Sequence, residues 1–125
     1  MAQVRQELSA GRKRSHWMWF VFPQLAGLGH SAMARQYAIA SLAEARAYLE
    51  HPVLGSRLIG LTELVNQVEG RSVREIFGSP DDLKFHSSMT LFALAQPDAP
   101  VFRDALEKYF GGAMDKATVE RLGPS

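Results

Sequence analysis

Two stretches of this chain carry side chains able to do chemistry. The first is Gly11–Leu25, G-R-K-R-S-H-W-M-W-F-V-F-P-Q-L, where Arg12, Lys13 and Arg14 run into Ser15, His16, Trp17, Trp19, Phe20 and Phe22. Large aromatics each cover about 150–250 Å², so a small domain must close around them. Polar groups anchored on such a platform are held rigidly, as a site requires. His16 titrates near neutrality and suits a general acid/base or an anion-binding imidazole; the alternative is a ring satisfied inside a packed turn. Lys13, Ser15 and Gln24 strengthen the first reading, because one aromatic platform would hold them all.

The second stretch is Asp81-Asp82-x-Lys84-x-x-Ser87-Ser88-x-Thr90. At helical spacing Lys84, Ser87 and Ser88 share a face, with Asp81 one turn earlier. They form either a polar stripe beside a cleft or a set of helix caps, a weak Asp81–Lys84 surface pair and hydroxyls bonded back to helical carbonyls. Asp82 and Thr90 fit the structural role. Asp81 and Asp82 are adjacent and diverge on a helix, so they do not form a catalytic carboxylate pair.

Other chemistries find no support. The chain has no cysteine, which excludes disulfides, thiol nucleophiles and Cys-ligated metals and fits a reducing cytosol. His30, His51 and His86 show no ligand spacing such as H-E-x-x-H, so no metal is expected. Gly27-Leu28-Gly29 lacks the third glycine and the preceding strand of a dinucleotide fingerprint, and no cofactor is expected. A net charge of +1 is too nearly neutral for a nucleic-acid-binding domain. Arg12–Arg14 is the only dense basic cluster, and three charges usually make a solvated face. No apolar run approaches the roughly 18 residues of a membrane helix, and the amino terminus has no signal-peptide core. The expected location is cytoplasmic.

A chain of 125 residues, 46% of them hydrophobic, can bury one core. Ala2–Ala10 reads as a helix stopped by Gly11, and Ser15–Val21 as a short buried helix or turn. Gln24–His30 reads as a loop. Ser31 caps a helix through about Ile39, and Ser41 with Glu44 opens another that closes at His51-Pro52. Leu54, Leu58, Leu61, Leu64, Val65 and Val68 trace the next apolar stripe, up to Gly70. Gly60 sits inside it and suggests close approach of another helix. Ser72 with Glu75 opens a one-turn helix ended by Gly78. Ser79-Pro80-Asp81-Asp82 starts a helix to about Ala95, with Ser79 as cap. Asp98 or Ala99 opens a helix with Pro100 in its first turn, ended by Gly111-Gly112. Asp115 caps a last one holding Val119 and Leu122. Helical period recurs and strand signal is absent. The expected fold is all-α: a single domain of about seven short helices in an irregular orthogonal array.

Gly11–Leu28 (G-R-K-R-S-H-W-M-W-F-V-F-P-Q-L-A-G-L), Phe77–Phe92 (F-G-S-P-D-D-L-K-F-H-S-S-M-T-L-F) and Tyr37–Gly55 (Y-A-I-A-S-L-A-E-A-R-A-Y-L-E-H-P-V-L-G) together resemble the bacterial family catalogued as domain of unknown function 1810. Its members sometimes carry the automatic label calpastatin. The resemblance implies a compact, mostly helical cytosolic domain and no particular activity. It also implies one further helix before Ala2, without which Val4, Leu8 and part of the aromatic block lose cover.

Two functions remain. One is a site, binding or catalytic, for an anionic or nucleotide-derived small molecule. Lys13, His16 and Lys84 would supply charge, and Ser15, Gln24, Ser87 and Ser88 hydrogen bonds. Trp17 or Trp19 would form a stacking wall, with Tyr37 as a further lining group. Were it an enzyme, His16 would act as a metal-independent general acid/base. The other is a helical interaction module meeting a protein partner or a second copy through its apolar faces.

Overall fold

Capping groups and apolar stripes set where this chain turns. The structure, a computed structural model, describes residues 1–28 and 31–123; Gly29 and His30, the end of the expected loop, lie outside them. Among the described residues the chain forms nine helices: α1 (Ala2–Ser9), α2 (Met18–Val21), α3 (Ala32–Gln36), α4 (Leu42–Glu50), α5 (Leu54–Gln67), α6 (Val73–Phe77), α7 (Asp81–Ala95), α8 (Pro100–Phe110) and α9 (Lys116–Leu122). The fold is all-α. One parallel bridge, Leu25 with Ile39, is its sole sheet-like pairing among the described residues. That bridge ends α3 at Gln36, short of the expected Ile39, because the Ile39 amide donates to Gln24 and its carbonyl accepts from Ala26.

Local side-chain caps start four of these helices. The hydroxyls of Ser31, Ser41 and Ser72 accept from the amides of Ala34, Glu44 and Glu75. Ser72 and Glu75 complete a reciprocal capping box. Asp115 caps α9 through the Thr118 amide. Two starts differ from the sequence expectation, which puts Ser79 as the cap of α7 and Pro52 in the first turn of α5. No side chain caps α7, whose N-cap is Pro80 rather than Ser79; Asp81 and Asp82 in its first turn meet the positive end of the helix dipole instead. At α5 the imidazole of His51 accepts from the amides of Val53 and Leu54, both at 3.2 Å, and the helix begins after Pro52.

Helix α7 lies at the centre. Phe85, Met89, Leu91, Phe92, Ala93 and Ala95 are buried on every side of it, the pattern of an enclosed helix. Helices α4 and α8 each pack against both α7 and α5, while α1 covers α5 from outside. Val4 and Leu8 are 5% and 0% exposed, so the core covers the residues expected to be bare. Helix α9 is attached differently. Thr118 is its buried residue, and its moorings are polar: Asp115 Oδ2 takes the Ser87 hydroxyl at 3.0 Å, the Asp115 amide donates to Thr90 Oγ1, and Arg121 Nε donates to the Ala26 carbonyl.

The close helix approach occurs at Gly55 and not at Gly60. A Cβ on Gly55 would sit 1.9 Å from the Leu49 carbonyl oxygen, whereas one on Gly60 would find Arg5 Nη2 at 3.7 Å. The tight position is thus the α4–α5 corner, where backbone meets backbone. Gly55→Ala should destabilise the domain by about 1–3 kcal/mol through overpacking. Gly60→Ala on the same helix should stabilise it by roughly 0.5–1 kcal/mol by removing glycine's entropy penalty. Chemical denaturation of the two variants checks the opposite signs.

Candidate functional site

The basic-aromatic segment is folded by one acid. Gly11 ends α1 with φ of 73° and turns the chain back on the helix, and the Arg12 amide donates to the Glu7 carbonyl. The Glu7 carboxylate then gathers the segment. Its Oε1 accepts from the amides of Arg14 (2.6 Å) and Ser15 (3.0 Å) and from Trp17 Nε1 (3.1 Å), and its Oε2 from the Ser15 hydroxyl (2.7 Å). Glu7 is 6% exposed. Burial alone would raise its pKa, but the donors from Arg14, Ser15 and Trp17 outweigh this and lower it to about 2. Trp17 is thereby seated in the core against Phe22 and Phe77, at ring separations of 6.2 and 6.5 Å.

The two chemistry-bearing stretches do meet, through an ion cluster. Lys13 Nζ lies 2.8 Å from Asp81 Oδ2 and Lys84 Nζ 3.4 Å from Asp81 Oδ1. The Lys13 ammonium also sits 5.2 Å from the Trp17 ring centre, a cation–π contact. Asp81 therefore stands between two of the three groups, Lys13, His16 and Lys84, expected to supply charge to a ligand. Ser15 is committed to Glu7 and to Gln3. Trp17 is core, while Trp19 is half-buried. His16 is exposed, and Gln24 is half-buried beside the Leu25–Ile39 bridge. Ser87 donates to Asp115, the N-cap of α9, and Ser88 is 0% exposed with its hydroxyl unpartnered. Tyr37 stands apart from all of these, its ring 5.9 Å from Phe20.

Tyr37 belongs to a groove the sequence did not indicate. Phe20, Pro23, Tyr37, Tyr48, Leu54 and Arg57 line a cleft of about 270 Å³ between α2, α4 and α5. Five of these six side chains are aromatic or apolar, and Arg57 is the exception. Arg57 is half-buried whereas every other arginine is exposed, and no carboxylate among the described residues pairs with it. Burial raises the Tyr48 phenol above its usual pKa against the pull of the Arg57 guanidinium beside it. One signal was present in the sequence: Arg57 stands directly before Leu58, and three residues after Leu54, on the leucine-lined side of α5. A wider groove of about 690 Å³ runs between Leu25, Ser41, Leu42 and the Glu120–Leu122 end of α9. Among the described residues no three His, Asp or Glu side chains gather to hold a metal ion, and no helix is long and apolar enough to cross a membrane.

Replacing the acid tests this geometry. In Glu7→Gln one amide NH2 must face a donor, and the variant should lose about 2–3 kcal/mol at pH 7. A carboxylate with a lowered pKa contributes stability above its ordinary value of 4.5 that is lost as pH falls towards about 2. The gap between variant and parent, followed by thermal unfolding, should therefore narrow over that acid range.

The family described as a protein of unknown function (DUF1810) matches residues 1–122, and the chain belongs to it. A conserved hypothetical protein from Mycobacterium tuberculosis, known from its crystal structure, is 59% identical in sequence with a TM-score of 0.96. The match covers 99% of this chain and 89% of that one. No curated protein matches the chain.

Proposed function

We propose that this domain of unknown function binds an anionic small molecule, seated by its apolar body in the groove of Phe20, Pro23, Tyr37, Tyr48 and Leu54 and by its acid on Arg57. The observation that carries this reading is the Arg57 guanidinium, half-buried on an aromatic wall without a carboxylate partner. Partly desolvating a cation costs free energy; the Tyr48 hydroxyl beside Arg57 offsets part of it, and an anion would complete the compensation. Small-molecule sites are mostly apolar clefts with a few converging polar groups, and this one has that composition. The ligand class is the one expected from the sequence. Its seat is Arg57 rather than the space between His16 and Lys84, because Lys13 and Lys84 both face Asp81.

A second reading, a docking surface for a protein partner, is favoured by the apolar edge of the same groove. Val53, next to Leu54, is 62% exposed, and Met33 on α3 and Tyr37 at its C-terminal cap are exposed as well.

A thermal-shift panel of organic carboxylates, phosphates and sulfonates separates the two. Binding by wild type, weakened at least tenfold in Arg57→Gln, is expected, since a charge-assisted hydrogen bond contributes about 1.5–3 kcal/mol. Arg57→Gln should itself melt near wild type, having broken no ion pair. A panel without any shift, together with self-association or partner capture through Val53 and Tyr37, would favour docking instead.

A further inference from the structure

Resting on that reading of the Arg57 groove, we infer that its ligand is an aromatic carboxylate of one or two fused rings and not a nucleotide. Three features of the lining point the same way. The first is size. At about 270 Å³ the cleft lies just under the roughly 300 Å³ at which drug-sized sites start. That size suits a benzoate or an indole carboxylate better than base, sugar and phosphate together.

The second feature is ring geometry. Phe20 and Tyr37 face one another at 5.9 Å with their planes tilted by 52°, and Tyr48 and Pro23 complete the wall. Aromatic rings favour tilted and edge-to-face neighbours over parallel sandwiches. A flat ring meeting these walls finds such neighbours, while a flexible aliphatic chain would gain burial alone and lose rotamer freedom.

The third feature is the scarcity of polar groups. Arg57 and the phenols of Tyr37 and Tyr48 are the only polar side chains in the lining. A guanidinium matches the two oxygens of one carboxylate in a planar fork. The ring nitrogens and hydroxyls of a nucleoside would be buried there without enough partners, which costs about 1–3 kcal/mol for each unpaired group. A phosphate monoester, carrying nearly two negative charges, would meet a single cation.

Isotope-labelled full-length protein, titrated with benzoate, indole-3-carboxylate, 2-naphthoate, cyclohexanecarboxylate, acetate, inorganic phosphate and AMP, tests this by NMR. The resonances to watch are Arg57 Nε–Hε and the Tyr37 and Tyr48 rings. The aromatic acids should shift these signals and bind at least tenfold more tightly than acetate, and more tightly than cyclohexanecarboxylate. Arg57→Lys, which keeps the charge and loses the fork, should weaken them several-fold. Phosphate or AMP binding at Arg57 as tightly as the aromatic acids would overturn the inference and leave the anion reading standing. Silence at Arg57 from every acid would overturn both. Concentration-dependent broadening at Val53 and Tyr37 without any acid would give the groove to a second copy of the chain and likewise overturn it.

Discussion

The structure depends on a buried carboxylate that is fully answered. Glu7 sits on a one-sided helix of eight residues and would, unpaired, be among the most costly groups in the domain. Four donors from three residues, Arg14, Ser15 and Trp17, converge on it. In exchange the acid dictates the path of residues 11–17, a stretch with no helix or sheet partner of its own. The same carboxylate holds Trp17 Nε1, so a polar contact determines how the largest core side chain enters the core. An indole needs a partner for its N–H when buried, and here that partner also organises the loop leading to it.

Consequences run outward from that anchor. With Trp17 fixed as the N-cap residue of α2, the one-turn helix Met18–Val21 points Met18 and Val21 inwards and leaves Phe20 half-buried on the other side. Phe20 thereby becomes a wall of the Arg57 groove. The opposite wall comes from the α4–α5 corner, where Gly55 lets the start of α5 lie against the Leu49 carbonyl and sets Tyr48 beside Leu54 and Arg57. The groove thus joins an electrostatic device at one end of the chain to a steric one in the middle. The ion cluster of Lys13, Asp81 and Lys84 ties the same loop to α7 from the other side.

Helix starts were legible where their causes are local. Ser31, Ser41, Ser72 and Asp115 each cap within three residues, so sequence spacing contains the whole interaction. The all-α class followed from the same short-range signals. Glu7 was not legible, because its donors arrive from an irregular turn whose path the acid itself decides. Gly60 looked like the close-packed glycine because it interrupts a leucine stripe, but the crossing that demands a missing Cβ is set by the α4–α5 turn and falls on Gly55. The Asp81–Lys84 pair was legible from its helical spacing, whereas Lys13, the residue through which the basic segment reaches the same acid, arrives from a distant turn that spacing does not reveal. Ser87 and Ser88 share a helical face with Lys84 on paper; in the fold that face is covered by α9 and core, with Ser88 enclosed. Arg57 needed three elements to come together before its partial burial had any meaning.

The central claim, that Glu7 is an ionised and enclosed anchor, is most directly tested by following its side-chain carboxyl carbon through an acid titration by NMR. The account predicts a resonance that stays in place from pH 7 down to about 3, well below the 4.5 at which an unperturbed glutamate titrates, with the Trp17 indole proton unmoved over the same range. A Glu7 carboxyl that titrates at the ordinary value of 4.5 while the protein remains folded would contradict it.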